Sequence, residues 1–219
     1  MPTAEPALLI GTLLLAPLAG WLAGWVGRRL AGVEPPRGGP AAWAPPLAVP
    51  LLALHALAML PPAQAVPAML LAAILVAIAV ADLEAMLIPD ALSLPLIPAG
   101  LALAALTLGP DALASLALHA LAAVAGYGLI WGLAVLWRRW RGVDGIGLGD
   151  AKLLAAAGAW VGPAGLPGVL LYGSVAGLAA ALLWRRPASG AMRAGREIPF
   201  GPFLALGFWI VLLHGPPPL

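Results

Sequence analysis

Apolar residues run along this chain in stretches of 13 to 26 residues, each closed by a short polar or Pro- and Gly-rich interruption. Measured against a hydrocarbon core of ~30 Å, which takes about 20 helical residues, these stretches predict eight membrane-spanning helices. They lie near 6–27, 46–61, 65–82, 91–109, 112–137, 151–163, 166–184 and 203–215. Pro61-Pro62 and Gly162-Pro163-Ala-Gly165 are the tight punctuation between neighbours. The second, sixth and eighth stretches are short, so six or seven spans are the alternatives. Glu5 precedes the first stretch and its first basic residues, Arg28 and Arg29, follow it. It therefore reads as an anchor with its N-terminus outside rather than as a cleavable signal peptide.

Composition gives the same class. The chain is 63% hydrophobic and 9% charged, with a mean hydropathy of +1.01, whereas a soluble domain carries roughly 25% charge. The expected fold is all-α, a polytopic integral membrane protein in contact with lipid. The absence of cysteine excludes disulfides, thiolate-held zinc and thiol catalysis. No metal framework or cofactor motif is visible, and the expectation is that none is used. The net charge of +2 comes from arginines too dispersed for a nucleic-acid stripe.

The basic residues report topology instead. All eleven fall in alternate loops: Arg28, Arg29 and Arg37; Arg138, Arg139, Arg141 and Lys152; Arg185, Arg186, Arg193 and Arg196. Loops rich in Lys and Arg stay cytoplasmic, so with eight spans both termini are extracytoplasmic and the loop at 83–90 is cytoplasmic. Lys152 is the single lysine among ten arginines, which marks its position as one where an ammonium is wanted.

Two acidic segments interrupt the apolar pattern, Asp82-Leu-Glu84-Ala-Met-Leu-Ile-Pro89-Asp90 and Gly147-Leu-Gly149-Asp150-Ala-Lys152. A carboxylate at the end of an apolar run is costly unless it faces water or has a function. Asp82 and Asp150 fall on the same predicted side, which a joint site requires. From Asp150 to the Gly162-Pro163 break is about 20 Å of helix, so Asp150 is expected below the membrane surface and Asp82 near the boundary, both in a water-filled notch. The glycines before Asp150 suit close backbone approach or a positive φ. Two carboxylates held together share a proton, so one accepts a proton from attacking water while the other donates one.

Asp82 and Pro89 in the pattern D-x5-[IL]-P-[DN], with Gly147-x-Gly149-Asp150-x-Lys152-Leu153, resemble the type IV prepilin peptidase family of GxGD aspartyl proteases. Ala157-Gly158-Ala-Trp160-Val-Gly162 and Pro199-Phe200-Gly201-Pro202 are further matches. The resemblance covers roughly residues 65–215, giving a peptidase-like domain at 65–219 and an N-terminal transmembrane region at 1–64. It implies that Asp82 and Asp150 are catalytic, with Pro89, Asp90, Gly147, Gly149, Lys152, Pro199, Phe200 and Gly201 in support. It also implies an inner-membrane enzyme that cuts the leader from prepilins or type II secretion pseudopilins on the cytoplasmic side. Long-form members carry two Cys-x-x-Cys pairs after the first helix and methylate the new N-terminus. Residues 28–45 here are a short loop without cysteine, so cleavage without methyl transfer is expected. The segment from Gly20 through Gly24 and Gly27 to Arg29 reads as a degenerate remnant of the family's first-helix motif.

The remaining polar residues have plainer readings. Glu84, Asp144 and Glu197 are read as solvated or capping charges. His55, His119 and His214 have no helical pairing and are read as packing residues, and Gly158 and Gly162 as a helix-packing pair. Two other functions fit paired carboxylates: a proton-coupled transporter, which favours midplane sites and internal repeats, and a catalytically silent assembly factor.

Overall fold

A computed structural model describes residues 6–36, 38–107, 112–184 and 198–217. Among these the chain forms seven helices: α1 (Pro6–Leu30), α2 (Pro40–Met59), α3 (Pro62–Ala85), α4 (Asp90–Thr107), α5 (Ala112–Arg141), α6 (Leu148–Trp184) and α7 (Gly201–His214). Proline opens α2 and α3, where its missing N–H costs nothing. Arg28 and Arg29 close α1, and Arg138, Arg139 and Arg141 close α5, where cations face the negative end of the helix dipole. Asp90 and Asp150 sit in the first turns of α4 and α6, at the positive ends. Five helices are long and apolar enough to cross a membrane, and α4 and α7 are shorter apolar helices. The protein is an all-helical polytopic membrane protein.

The predicted break at Gly162-Pro163 is a reversal inside α6. Gly162 has φ 68° and ψ −174°, a conformation open essentially to glycine. Beyond it, Gly168 approaches Val211 and Pro217 at the end of α7, while Gly177 approaches Phe200 and Phe203 at its start. The second limb of α6 therefore runs antiparallel to α7. With Asp150 and Gly201 at one end of the bundle, α6 is a hairpin that turns at the other. Eight helical segments thus correspond to the eight apolar stretches, with ends shifted by a few residues. The largest shifts are at α2, which starts at 40 rather than 46, and at α5, which continues to Arg141.

The core forms around the first limb of α6, whose Ala151, Leu153, Leu154, Ala156, Ala157 and Ala159 are wholly buried. Small residues let the backbones meet: a Cβ on Gly158 would lie 2.5 Å from the carbonyl oxygen of Ala122 in α5. On the other side of α3, Ala16 and Ala23 of α1 pack with Val49 and Ala53 of α2 and Ala77 of α3. Gly20 and Gly24 of the first-helix segment abut Pro45, and Gly27 abuts the Ala77 carbonyl. Large apolar side chains such as Leu14, Leu106 and Leu113 point outward, as a lipid-facing surface requires.

Helix length positions the site. The first limb of α6 and the 14-residue α7 each rise only ~21 Å, whereas the 25 residues of α1, 24 of α3 and 30 of α5 rise about 36–45 Å. Short segments inside longer ones leave a recess at one end of the bundle.

Candidate active site

Both aspartates line that recess, a cavity of about 1140 Å³ bounded by the ends of α3 and α5, the starts of α4 and α6, and residues 198–200. Asp82 lies one turn before the end of α3 and is buried, at 6% exposure. Its own carbonyl accepts from the Met86 N–H at 2.9 Å, and Met86 takes the left-handed conformation (φ 55°, ψ 37°) that stops the helix. Its carboxylate Oδ2 accepts from the Gly201 N–H at 2.9 Å. That donor is one of the four N–H groups a helix leaves free at its start, so the carboxylate sits where α7 presents its positive end. Asp150, in the first turn of α6, lines the same cavity as Asp82.

The supporting residues expected from the sequence converge on the same cavity. Pro89, Asp90, Gly147, Gly149, Lys152, Pro199 and Phe200 line it, and Gly201 reaches it through the Asp82 hydrogen bond. Lys152 Nζ donates to Asp90 Oδ1 at 2.5 Å, with the two side chains 25% and 58% exposed. This pair joins the starts of α6 and α4 beside Asp150. Gly147 and Gly149 do not have positive φ, and of the two only Gly149 is held by close approach, since a Cβ on Gly147 would meet nothing nearer than Asp150 Oδ2 at 3.5 Å. A Cβ on Gly149 would lie 2.9 Å from Ile88 Cβ, and one on Gly201 would lie 2.7 Å from Asp82 Oδ2 and 3.0 Å from Ile88 Cδ1. Ile88, 6% exposed, is thus a wedge between the glycines that adjoin the two aspartates. Sequence reasoning treated it only as a letter of the motif.

A second feature escaped the sequence reading. Arg28, read there for topology, is 5% exposed, and Glu84, read as a solvated or capping charge, is its partner. Nε of Arg28 donates to both carboxylate oxygens of Glu84 at 3.0 Å and one terminal nitrogen to Oε1 at 2.7 Å. The same nitrogen donates to the Ala41 carbonyl at 2.6 Å, tying α1, α2 and α3 together two residues beyond Asp82. The partners are 56 positions apart, and no local pattern announces the pair. Asp144 meets Arg138 at 3.6 Å with both side chains exposed, consistent with a solvated charge. Glu197 lies outside the described residues. Among the described residues no three His, Asp or Glu side chains group as metal ligands.

A buried carboxylate fixed by a backbone N–H and a second one on the same cavity are the components of acid–base hydrolysis. Residues 69–182 match the type IV leader peptidase family. The chain belongs to that family. It is 43% identical over 143 residues to a prepilin leader peptidase/N-methyltransferase of Burkholderia pseudomallei, covering 64% of this chain and 44% of that protein. A protein of the same description from Aeromonas hydrophila is 40% identical over 141 residues, covering 64% and 46%. One from Xanthomonas campestris is 39% identical over 139 residues, with the same coverage. The chain spans about half the length of the curated relatives it matches. No solved structure matches it.

Proposed function

We propose that this member of the leader peptidase family is a membrane aspartyl endopeptidase, with Asp82 and Asp150 as its catalytic dyad, that cleaves the leader of type IV prepilins or type II secretion pseudopilins. The observation that carries the reading is the convergence of these two carboxylates, from helices 68 positions apart in sequence, on one cavity at one end of the bundle. One carboxyl accepts a proton from the attacking water while the other, protonated, donates to the carbonyl oxygen or the leaving amine. The dyad titrates as a unit, so neither role belongs to one residue. Gly201 fixes the Asp82 carboxylate, Ile88 spaces the two strands of backbone, and the Lys152–Asp90 pair holds the rim. Residues 65–219 form the peptidase unit and residues 1–64 brace it through Arg28.

Alternation of the basic residues supports an inner-membrane protein with this end of the bundle in the cytoplasm. No methyl transfer is assigned to this chain. The test is to mix purified protein with a prepilin in detergent and weigh the products. Cleavage at the leader junction, retained with chelator and leaving an unmethylated N-terminus in the presence of S-adenosylmethionine, is the expected result. Proton flux in vesicles without cleavage would replace the reading with a transporter. Cysteine placed at Gly39 should resist an impermeant thiol reagent in intact cells while cysteine at Gln64 labels, and the reverse pattern would overturn the orientation.

A further inference from the structure

We propose that His55 and His214 form a bis-histidine site for a divalent transition-metal ion at the end of the bundle remote from the aspartates. His55 lies near the end of α2 and His214 is the last residue of α7, and their Nε2 atoms are 3.2 Å apart. The ring centroids are 5.1 Å apart with a tilt of 45°. Two neutral imidazoles in this arrangement share one hydrogen, one ring donating and the other accepting. Moving the donor's hydrogen to its Nδ1 leaves two Nε2 lone pairs directed at a common point, with no net change in charge. An ion bonded to both nitrogens at ~2.0–2.1 Å would subtend an angle of about 100–106°, close to the tetrahedral value of ~109°.

Imidazole nitrogen suits zinc, copper and nickel, and water completes the coordination. Beside the pair, the Trp209 ring stands edge-on to His55 at 6.4 Å. Its indole N–H is buried without an acceptor among the described residues. His214 is exposed, so an ion reaches the site from solvent. The site is separate from the proposed chemistry: α7 begins at Gly201 on Asp82, about 20 Å of helix away. Its effect is mechanical. The ion joins side chains 159 positions apart, and closing so long a loop removes freedom from the unfolded chain, so the ion staples α2 to α7.

The experiment uses untagged full-length protein in detergent. Cu²⁺ added at one equivalent should give an electron paramagnetic resonance spectrum with coupling to two nitrogens, and Zn²⁺ should raise the thermal unfolding midpoint. His55→Gln and His214→Gln should each lose the two-nitrogen signal and the Zn²⁺-dependent shift. A wild-type Cu²⁺ spectrum with one nitrogen or none would overturn the site, and that measurement needs no variant to fold. A Zn²⁺ shift that survives in both variants, or two-nitrogen binding without any shift, would overturn the staple.

Discussion

At Gly162 the chain reverses among apolar side chains, and Pro163 has no N–H to give the Ala159 carbonyl four residues earlier. The Nδ1 of His119 in α5 stands 2.9 Å from that carbonyl oxygen and donates to it, and the imidazole fills the space a side chain at position 162 would need. At the opposite end, α3 stops at Met86, α5 at Arg141, and α7 starts at Gly201. There the freed groups and charges surround a cavity instead of being covered. Non-helical backbone at membrane depth is tolerated where it is buried in protein or lines water, and this molecule uses one solution at each end. The sealed break has a structural part to play; the open one sets two carboxylates on a cavity.

The strongest way to break this contrast is to neutralise the open end. Asp82→Asn and Asp150→Asn should each lower cleavage by roughly 10²–10⁴-fold or more, the contribution of a positioned acid or base, while the protein stays folded and inserted. Residual turnover near wild type at equal membrane abundance would sink the dyad. Next comes Gly201→Ala, which sets a methyl group against Asp82 Oδ2 and Ile88. A displacement of ~1 Å at a reacting group costs about 10²-fold, so kcat should fall with the unfolding midpoint nearly unchanged. An unaffected kcat would show that Asp82 does not depend on that contact.

Smaller effects separate bracing from chemistry. Arg28→Met leaves Glu84 without its partner and should cost stability near the lower end of roughly 3–5 kcal/mol, because Glu84 keeps some contact with water. At the sealed break, His119→Ala uncaps the Ala159 carbonyl and should cost about 1–3 kcal/mol while sparing kcat in the folded fraction. A catalytic defect larger than the stability defect would make the two ends interdependent. Smallest of all, Lys152→Gln removes a partly exposed pair worth about 0–1 kcal/mol, and chemical denaturation in detergent micelles should barely register it. A large loss of kcat from this change would give the ammonium a part in the reaction.

The eight apolar stretches were readable because hydropathy alone decides what can enter lipid, and the Gly162-Pro163 break because no other pair of residues interrupts a helix so sharply. The cavity residues were readable because polar residues are rare in so apolar a chain and their spacing is diagnostic. What stayed hidden depends on distance in space. Ile88 is one more apolar residue until Gly149 and Gly201 are seen on either side of it. Arg28 and Glu84 look like separate boundary charges until α1 and α3 lie side by side. His55 and His214 show no periodic relation, because the contact joins the far ends of two helices. The glycines before Asp150 were given two uses in the sequence: positive φ is present at neither, and close approach is present at Gly149 alone, inside a helix that has already begun at Leu148.

The hairpin in α6 has a consequence for how the protein is made. Its first limb, at ~21 Å, is too short to cross a bilayer that takes about 20 helical residues, and its alanine-rich faces are shaped to α4 and α5 rather than to lipid. Synthesis delivers the chain N-terminus first, so α5, with His119 waiting to take the Ala159 carbonyl, is already in place when the turn emerges. α7 follows the hairpin in the chain, so Gly201 becomes available to Asp82 only after both aspartates have been made. The site is therefore incomplete until α7 has been made, and a chain cut short before α7 would carry both aspartates without the hydrogen bond that orients one of them.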